Sequence, residues 1–235
     1  MDRDRDFTRV GKALSTPARS VFLNLLMDGT KRPAGELAQA AGVSASTASE
    51  HLGVLVEAGL VSCEAHGRRR YYSLAGPQVA TALEALGALA DAVPVSGYRP
   101  SRQAQYLAAA RFCYDHLAGR LGIALADAWT RQGWLGDREV LTLSETGAEG
   151  LRAIGVDVDG AVKSRRTTTL PCLDWTERRP HLAGALGAAV GTRFLEAGWV
   201  VRHRSGRGLA VTQPGHALLR QAWGIDLTLA DRIGD

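Results

Sequence analysis

The sequence predicts a mainly α-helical protein with small β-hairpins, divided into two domains, and three observations carry that prediction. Apolar residues recur at helical spacing through most of the chain, the stretch 60–74 switches to strand, turn and strand, and 93–100 places two prolines and a glycine between helical segments. With 235 residues, 46% of them hydrophobic and 22% charged, the chain is long enough for two small cores and is neither disordered nor fibrous in composition. The expected domains are 1–92 and 101–235, joined by a linker at 93–100.

Each element follows from local chemistry. Helical periodicity from Phe7 to about Met27 breaks at Thr16-Pro17, and proline suits the first turn of a second helix. Ala34 to Ala41 reads as a short helix, Gly42-Val43 as a tight turn, and Ser44 as the N-cap of a helix that Gly59 ends. From Leu60 to Leu74 a hairpin turns at Gly67-Arg68, with Tyr71 and Tyr72 supplying β-propensity. Helix, short turn, helix and hairpin together make a winged helix-turn-helix. Pro77 starts a further helix whose apolar stripe, Val79, Leu83, Leu86 and Ala90, suits closing the core or pairing with a second subunit.

The second domain is expected to be mostly helical. Helices are predicted over Ser101 to about Gln132, bent at Gly119 and Gly122, and over Thr146–Ile154, His181–Ala197 and Gly215–Trp223. A weak internal repeat links the halves: Glu57-Ala58-Gly59-Leu60 leads to Gly76 as Glu196-Ala197-Gly198-Trp199 leads to Gly215, with a shorter version from Gly133-Trp134 to Gly147. It reads either as winged-helix-like units or as chance recurrence in a glycine-rich chain.

A net charge of +4 and a pI near 9.2 allow an anionic partner without requiring one. The start, Met-Asp-Arg-Asp-Arg-Asp, lacks the apolar run of a signal peptide, and no stretch approaches the ~18 apolar residues of a membrane span, so a cytoplasmic protein with no membrane partner is expected. Cys63, Cys113 and Cys172 are an odd, widely spaced set and fit reduced thiols. The chain has no H-E-x-x-H, G-x-S-x-G, P-loop or dinucleotide fingerprint, which argues against an enzyme.

The helix from Ser44 to Gly59 has what a DNA-reading helix needs. Leu37, Val43, Ala48, Leu52 and Leu55 bury one side, while Ser44, Ser46, Thr47, Ser49, Glu50 and His51 crowd the exposed first turns that approach base edges in a major groove. Small hydroxyl side chains there let the backbone come close and donate to phosphates or bases. At the hairpin tip stand Arg68, Arg69 and Arg70, followed by Tyr71, where a wing tracks the phosphate backbone. The partner these features call for is double-stranded DNA. A solvated polar face on an ordinary capped helix is the plainer alternative.

The amino-terminal text resembles the ArsR-type winged-helix repressors at Ala13–Arg19, Glu36-Leu37-Ala38, Ser44–Leu52, Leu55–Val61 and the wing with Gly67-Arg68 and Tyr71-Tyr72, covering roughly the first 90 residues. The resemblance implies a homodimer, joined through the first helix and the helix after Pro77, that binds a pseudo-palindromic operator and releases it when an effector arrives. Metal sensors of that family carry cysteines beside the Glu-Leu pair, or Asp and His on the last dimer helix. Here Pro33, Ala34, Gly35, Ala38 and Gln39 offer no thiol, and Val79 to Asp91 has no histidine.

The second half carries its own cluster. Arg111–Arg120 and Pro171–Leu182 resemble segments of a long-form branch of ArsR-like regulators, a likeness that implies no particular effector. Cys113 and His116, three apart on the expected helix, would share a face; Cys172 and His181 would complete an N/S site of zinc or copper type, with Asp174 and Glu177 beside them. Two other readings stay open: a small-molecule pocket, or a purely structural set in which Cys113 is a buried hydrophobe, Asp174 and Glu177 form a capping box and Pro180 opens a helix.

Overall fold

The computed structural model describes residues 4–67, 69–90, 105–203 and 207–227, and the chain divides into two compact units, Met1–Ala80 and Thr81–Asp235. The division falls within the helix Pro77–Gly87, and the expected linker at 93–100 lies outside the described residues. Among the described residues no helix is long and apolar enough to cross a membrane.

The first unit is a winged helix-turn-helix. Helices Thr8–Leu14, Pro17–Leu26, Ala34–Ala41 and Ala45–Glu57 pack around Phe22, Leu26, Leu37, Leu52 and Leu55, all fully buried. Pro17 occupies the first turn of its helix, Gly42 ends the third in a left-handed conformation (φ 64°), and the Ser44 hydroxyl caps the fourth by accepting from the Thr47 N–H. The wing strands Val61–His66 and Arg69–Leu74 pair antiparallel, and Arg32–Pro33 adds a short third strand against Tyr71 and Tyr72.

The helix Pro77–Gly87 turns a face to the interior that its apolar stripe does not mark. Glu84 is buried at 2% exposure while Leu86 is 45% and Leu89 is 83% exposed. A carboxylate takes the inner position because two arginines of the second unit meet it there, as described below.

The second unit is built from two copies of one motif. Each begins with a hairpin, Arg111–Cys113 with His116–Ala118 and Leu170–Leu173 with Pro180–Ala183. A helix follows, Gly119–Arg131 or Gly184–Glu196, then a Gly-Trp pair and a wing-like return, the single bridge Leu135–Leu143 in one copy and the hairpin Val200–Arg202 with Leu209–Val211 in the other. Ser144 and Thr212 then cap the closing helices, Glu145–Ala153 and Gln213–Trp223, and their hydroxyls also donate to the carbonyls of Gly133 at 2.7 Å and Gly198 at 2.6 Å. The first copy carries the additional helix Val158–Lys163.

Two expected helices begin later than the periodicity indicated. Residues 105–109 are helical, but Arg111–Ala118 is a hairpin with Tyr114-Asp115 as its turn, and His181 lies on a strand. Glycine decides both boundaries. Gly119 (φ 74°) and Gly184 (φ 82°) open their helices in a left-handed conformation that side-chain-bearing residues rarely adopt, and a Cβ there would approach the carbonyls of Ala108 at 2.8 Å and Thr168 at 2.7 Å. Cys113 and His116 are therefore cross-strand neighbours rather than residues on one helical face.

Each copy's long helix packs against the other copy's hairpin. The crossing buries one core, in which Phe112, Leu121, Leu125, Trp129, Leu186 and Phe194 are almost wholly hidden from solvent.

Candidate functional site

The first unit presents the surface expected of a nucleic-acid reader. Ser44, Ser46, Ser49 and Glu50 are exposed on the first turns of the Ala45–Glu57 helix, and Thr47 is half-buried. The Ser44 hydroxyl lies 2.8 Å from that of Ser46 and 2.9 Å from that of Thr47, so the turn is pre-ordered. His51 is held from behind: Arg19, itself buried, approaches its Nδ1 at 3.1 Å, and the ring meets Phe22 edge-on at 6.4 Å. A guanidinium only donates, so the neutral imidazole carries its proton on Nε2. Arg19 also donates to the carbonyls of Ala13 and Lys12, both at 2.6 Å, which ties three helices together. Arg69 and Arg70 are exposed on the wing, and half-buried Tyr71 lies edge-on to His66; Arg68 is outside the described residues.

The second unit brings Cys113, His116, Cys172 and His181 into one buried cluster whose four ligand atoms all lie within 4.8 Å of one another. The sulfurs of Cys113 and Cys172 are 3.9 Å apart, and the Nε2 atoms of His116 and His181 are 3.1 Å apart. The crossing of the two copies explains the meeting. Gly122 on the first helix leaves room for the Cβ of His181, and Gly187 on the second does the same for His116. An alanine at 187 would stand 2.6 Å from the Leu182 carbonyl and 3.2 Å from the His116 Cβ. Gly187→Ala is expected to lower the unfolding free energy in urea by about 1–3 kcal/mol.

Aspartates stand behind both histidines. Asp115 Oδ1 is 3.3 Å from Nδ1 of His116, and Asp174 Oδ2 is 3.6 Å from Nδ1 of His181. Asp174 is not one of the four clustered ligands. It accepts from the N–H groups of Gly119, Thr176 and Glu177, fixing the loop between the strands of the second hairpin. Glu177 contributes its backbone N–H to that loop, and its side chain lies outside the cluster.

Protonation follows from these neighbours. The Cys113 thiol is pushed well up by its hydrogen bond with the Cys172 sulfur and by burial. Burial opposes charge on His116, yet Cys113 and Asp115 outweigh it and raise that ring to about 9. The pull of Cys113 requires a thiolate, which the same burial disfavours, so Asp115 is the cause that operates at neutral pH. His181 is driven well below the ordinary histidine range by burial and by His116.

A second buried layer supports the cluster. Arg111, fully buried, pairs with Asp174 at 2.9 Å and faces Glu84 at 3.7 Å, and Arg207 donates to Glu84 at 2.8 Å. Trp175 lies against both guanidinium groups. Arg111 overcomes the burial of Asp174 and, with the hydrogen bonds from Thr176 and Gly119, holds its carboxyl well below the usual range. Sequence reasoning had not given Arg19, Glu84, Arg111, Asp115 or Arg207 these roles. One legible signal was present: Cys-x-Asp followed by His-Leu-Ala-Gly-x-Leu-Gly stands at 113–122 and, with a longer turn, again at 172–187.

Comparison with known proteins places these surfaces in context. A helix-turn-helix domain family matches residues 14–64. The chain is 40% identical over 211 residues to the uncharacterized HTH-type transcriptional regulator YdfF of Bacillus subtilis, a match covering 89% of this chain and 93% of that protein. Such a length takes in much of the second unit as well as the first. The HTH-type transcriptional regulator CmtR of Mycobacterium tuberculosis is 39% identical over 80 residues, 34% of this chain and 67% of that one. Among solved structures, the homodimeric winged helix-turn-helix DNA-binding domain of a possible ArsR-family regulator from Mycobacterium bovis is 34% identical, covering 38% of this chain and 89% of its own at a TM-score of 0.33.

Proposed function

The chain belongs to the HTH-type transcriptional regulators, and from that premise we propose that it is a homodimeric repressor of ArsR type, released from its operator by an effector taken up in the second unit. The observation that carries the reading is the Ser44-capped helix, with its exposed row Ser46, Ser49 and Glu50 beside a wing bearing Arg69 and Arg70. That helix enters the major groove, its hydroxyl groups meet base edges and phosphates, and the wing arginines hold the backbone. The role is non-enzymatic. Dimerisation uses the apolar surface left uncovered on the first unit and the helix after Pro77, where Phe7 is 74% and Leu86 45% exposed.

The effector site is the Cys/His cluster. An apolar cavity beside it, between Leu125, Trp129 and Val190, measures about 10 Å³, room for about one water molecule and none for an organic effector. Fluorescence anisotropy with DNA from upstream of its own gene tests the reading. Nanomolar binding that saturates at two chains per palindrome is expected, and Ser49→Glu, which sets a carboxylate against the groove, weakens it at least about tenfold. Equal affinity for unrelated DNA would refute operator recognition.

A further inference from the structure

The geometry points to Cys113, His116, Cys172 and His181 as a closed four-coordinate site for a divalent cation of zinc type, half supplied by each copy of the repeated motif. The inference rests on the reading of this cluster as the effector site and names the ligand. Its first support is size. A tetrahedral ion with bonds of ~2.3 Å to sulfur and ~2.0–2.1 Å to nitrogen sets its sulfurs ~3.8 Å and its nitrogens ~3.3 Å apart. The cluster holds its sulfurs at 3.9 Å and its Nε2 atoms at 3.1 Å.

The second support is independent of those spacings. Asp115 and Asp174 each face an Nδ1 atom, and a carboxylate there favours the tautomer protonated on Nδ1. The two Nε2 atoms face each other across 3.1 Å in a buried space, one donating to the other through a single proton, and Nδ1 of His181 has no hydrogen-bond partner. A cation between the two rings displaces that proton to solvent, takes up both Nε2 lone pairs and draws the Nδ1 protons toward their carboxylates. A carboxylate behind each ligating histidine is the usual arrangement of zinc sites. Two thiolates balance the dication, and binding releases their protons. With all four donors from the protein and all four residues buried, the coordination sphere has no open position, as in structural or sensing sites rather than hydrolytic ones.

The test uses the full-length reduced protein, stripped with chelator and titrated with Co(II). One Co(II) per chain is expected, with the visible bands of tetrahedral coordination and a sulfur-to-cobalt charge-transfer band, all lost on adding Zn(II). Cys63 is the third thiol of the chain and is exposed, so Cys63→Ser should keep the whole spectrum and Cys113→Ser/Cys172→Ser should lose it. Asp174→Asn should keep the spectrum with affinity lower by about 10–100-fold. Should the double serine variant fail to fold, the Cys63→Ser spectrum decides alone. Absence of the charge-transfer band, or its loss in Cys63→Ser, overturns the inference. Operator binding measured on the same samples before and after loading separates the two readings: a protein that grips its operator but takes no cobalt removes the metal site alone, and one that takes cobalt but binds no operator even when stripped removes the repressor.

Discussion

Arg111→Met is expected to lower the unfolding free energy of the second unit by about 3–5 kcal/mol, because it strips a fully buried carboxylate of its countercharge. In the native cluster two arginines face two carboxylates. Without Arg111, Glu84 keeps Arg207, but Asp174 remains in the interior with only hydrogen bonds to hold its charge. The melting temperature should fall by about 6–20 °C for a chain of this size. All five tryptophans lie between 129 and 223, so fluorescence during urea denaturation reports this unit alone.

The pH dependence carries the sign of the mechanism. In the natural protein the Asp174 carboxyl is depressed, so its stabilisation is complete above the unfolded carboxylate value, ~3.9, and is lost as the pH falls below it. In the variant, burial without Arg111 raises that carboxyl, and acidification relieves the penalty. The gap between the two proteins should therefore narrow from pH 7 toward pH 4. Arg111→Met/Asp174→Asn should regain much of the loss, measured with chelator present. A constant gap, or no rescue, would assign the effect to lost packing against Trp175 instead.

Arg69→Ala/Arg70→Ala should give the largest change in DNA binding. Each neutralised phosphate contributes about 0.9 to the slope of log affinity against log salt, so a dimer losing four arginines loses about 3.6 units of slope. At ~0.15 M salt this corresponds to about a thousandfold weaker binding, spread evenly over specific and unrelated sequences. Both side chains are exposed, so the fold should be unaffected. A slope unchanged by the double substitution would take the wing out of the interface and leave the helix to bind alone.

How much of this was legible in the sequence depended on distance along the chain. The amino-terminal elements announce themselves within a few residues: Pro17 in a first turn, Gly42 after a helix, Ser44 accepting from Thr47, Gly67 at the wing tip. The hairpin at 111–118 was hidden because strands of three residues offer too little alternation to compete with the apolar helical spacing on both sides. Cys113, His116, Cys172 and His181 were legible as a candidate set, but the geometry that gathers them was not, nor was the separation of Asp174 and Glu177 from them. His116 and His181 are 65 positions apart, and only the crossing of two copies brings them together. Glu84 was unreadable because local periodicity favours burying Leu86, and the arginines that override it, Arg111 and Arg207, both lie beyond the helix, Arg207 123 residues away.

The helix Pro77–Gly87 sets a rule for dissecting the protein. A fragment cut at the proline-rich stretch 93–100 would carry away Glu84 and strand Arg111 and Arg207 in the remainder, where two buried cations would face Asp174 alone. The remainder inherits an uncompensated positive charge through a cut that touches none of its own core. Severed so, neither piece reports the behaviour of its parent; a carboxyl-terminal piece beginning near Thr81 keeps the balance intact and is the one suited to isolated metal titration.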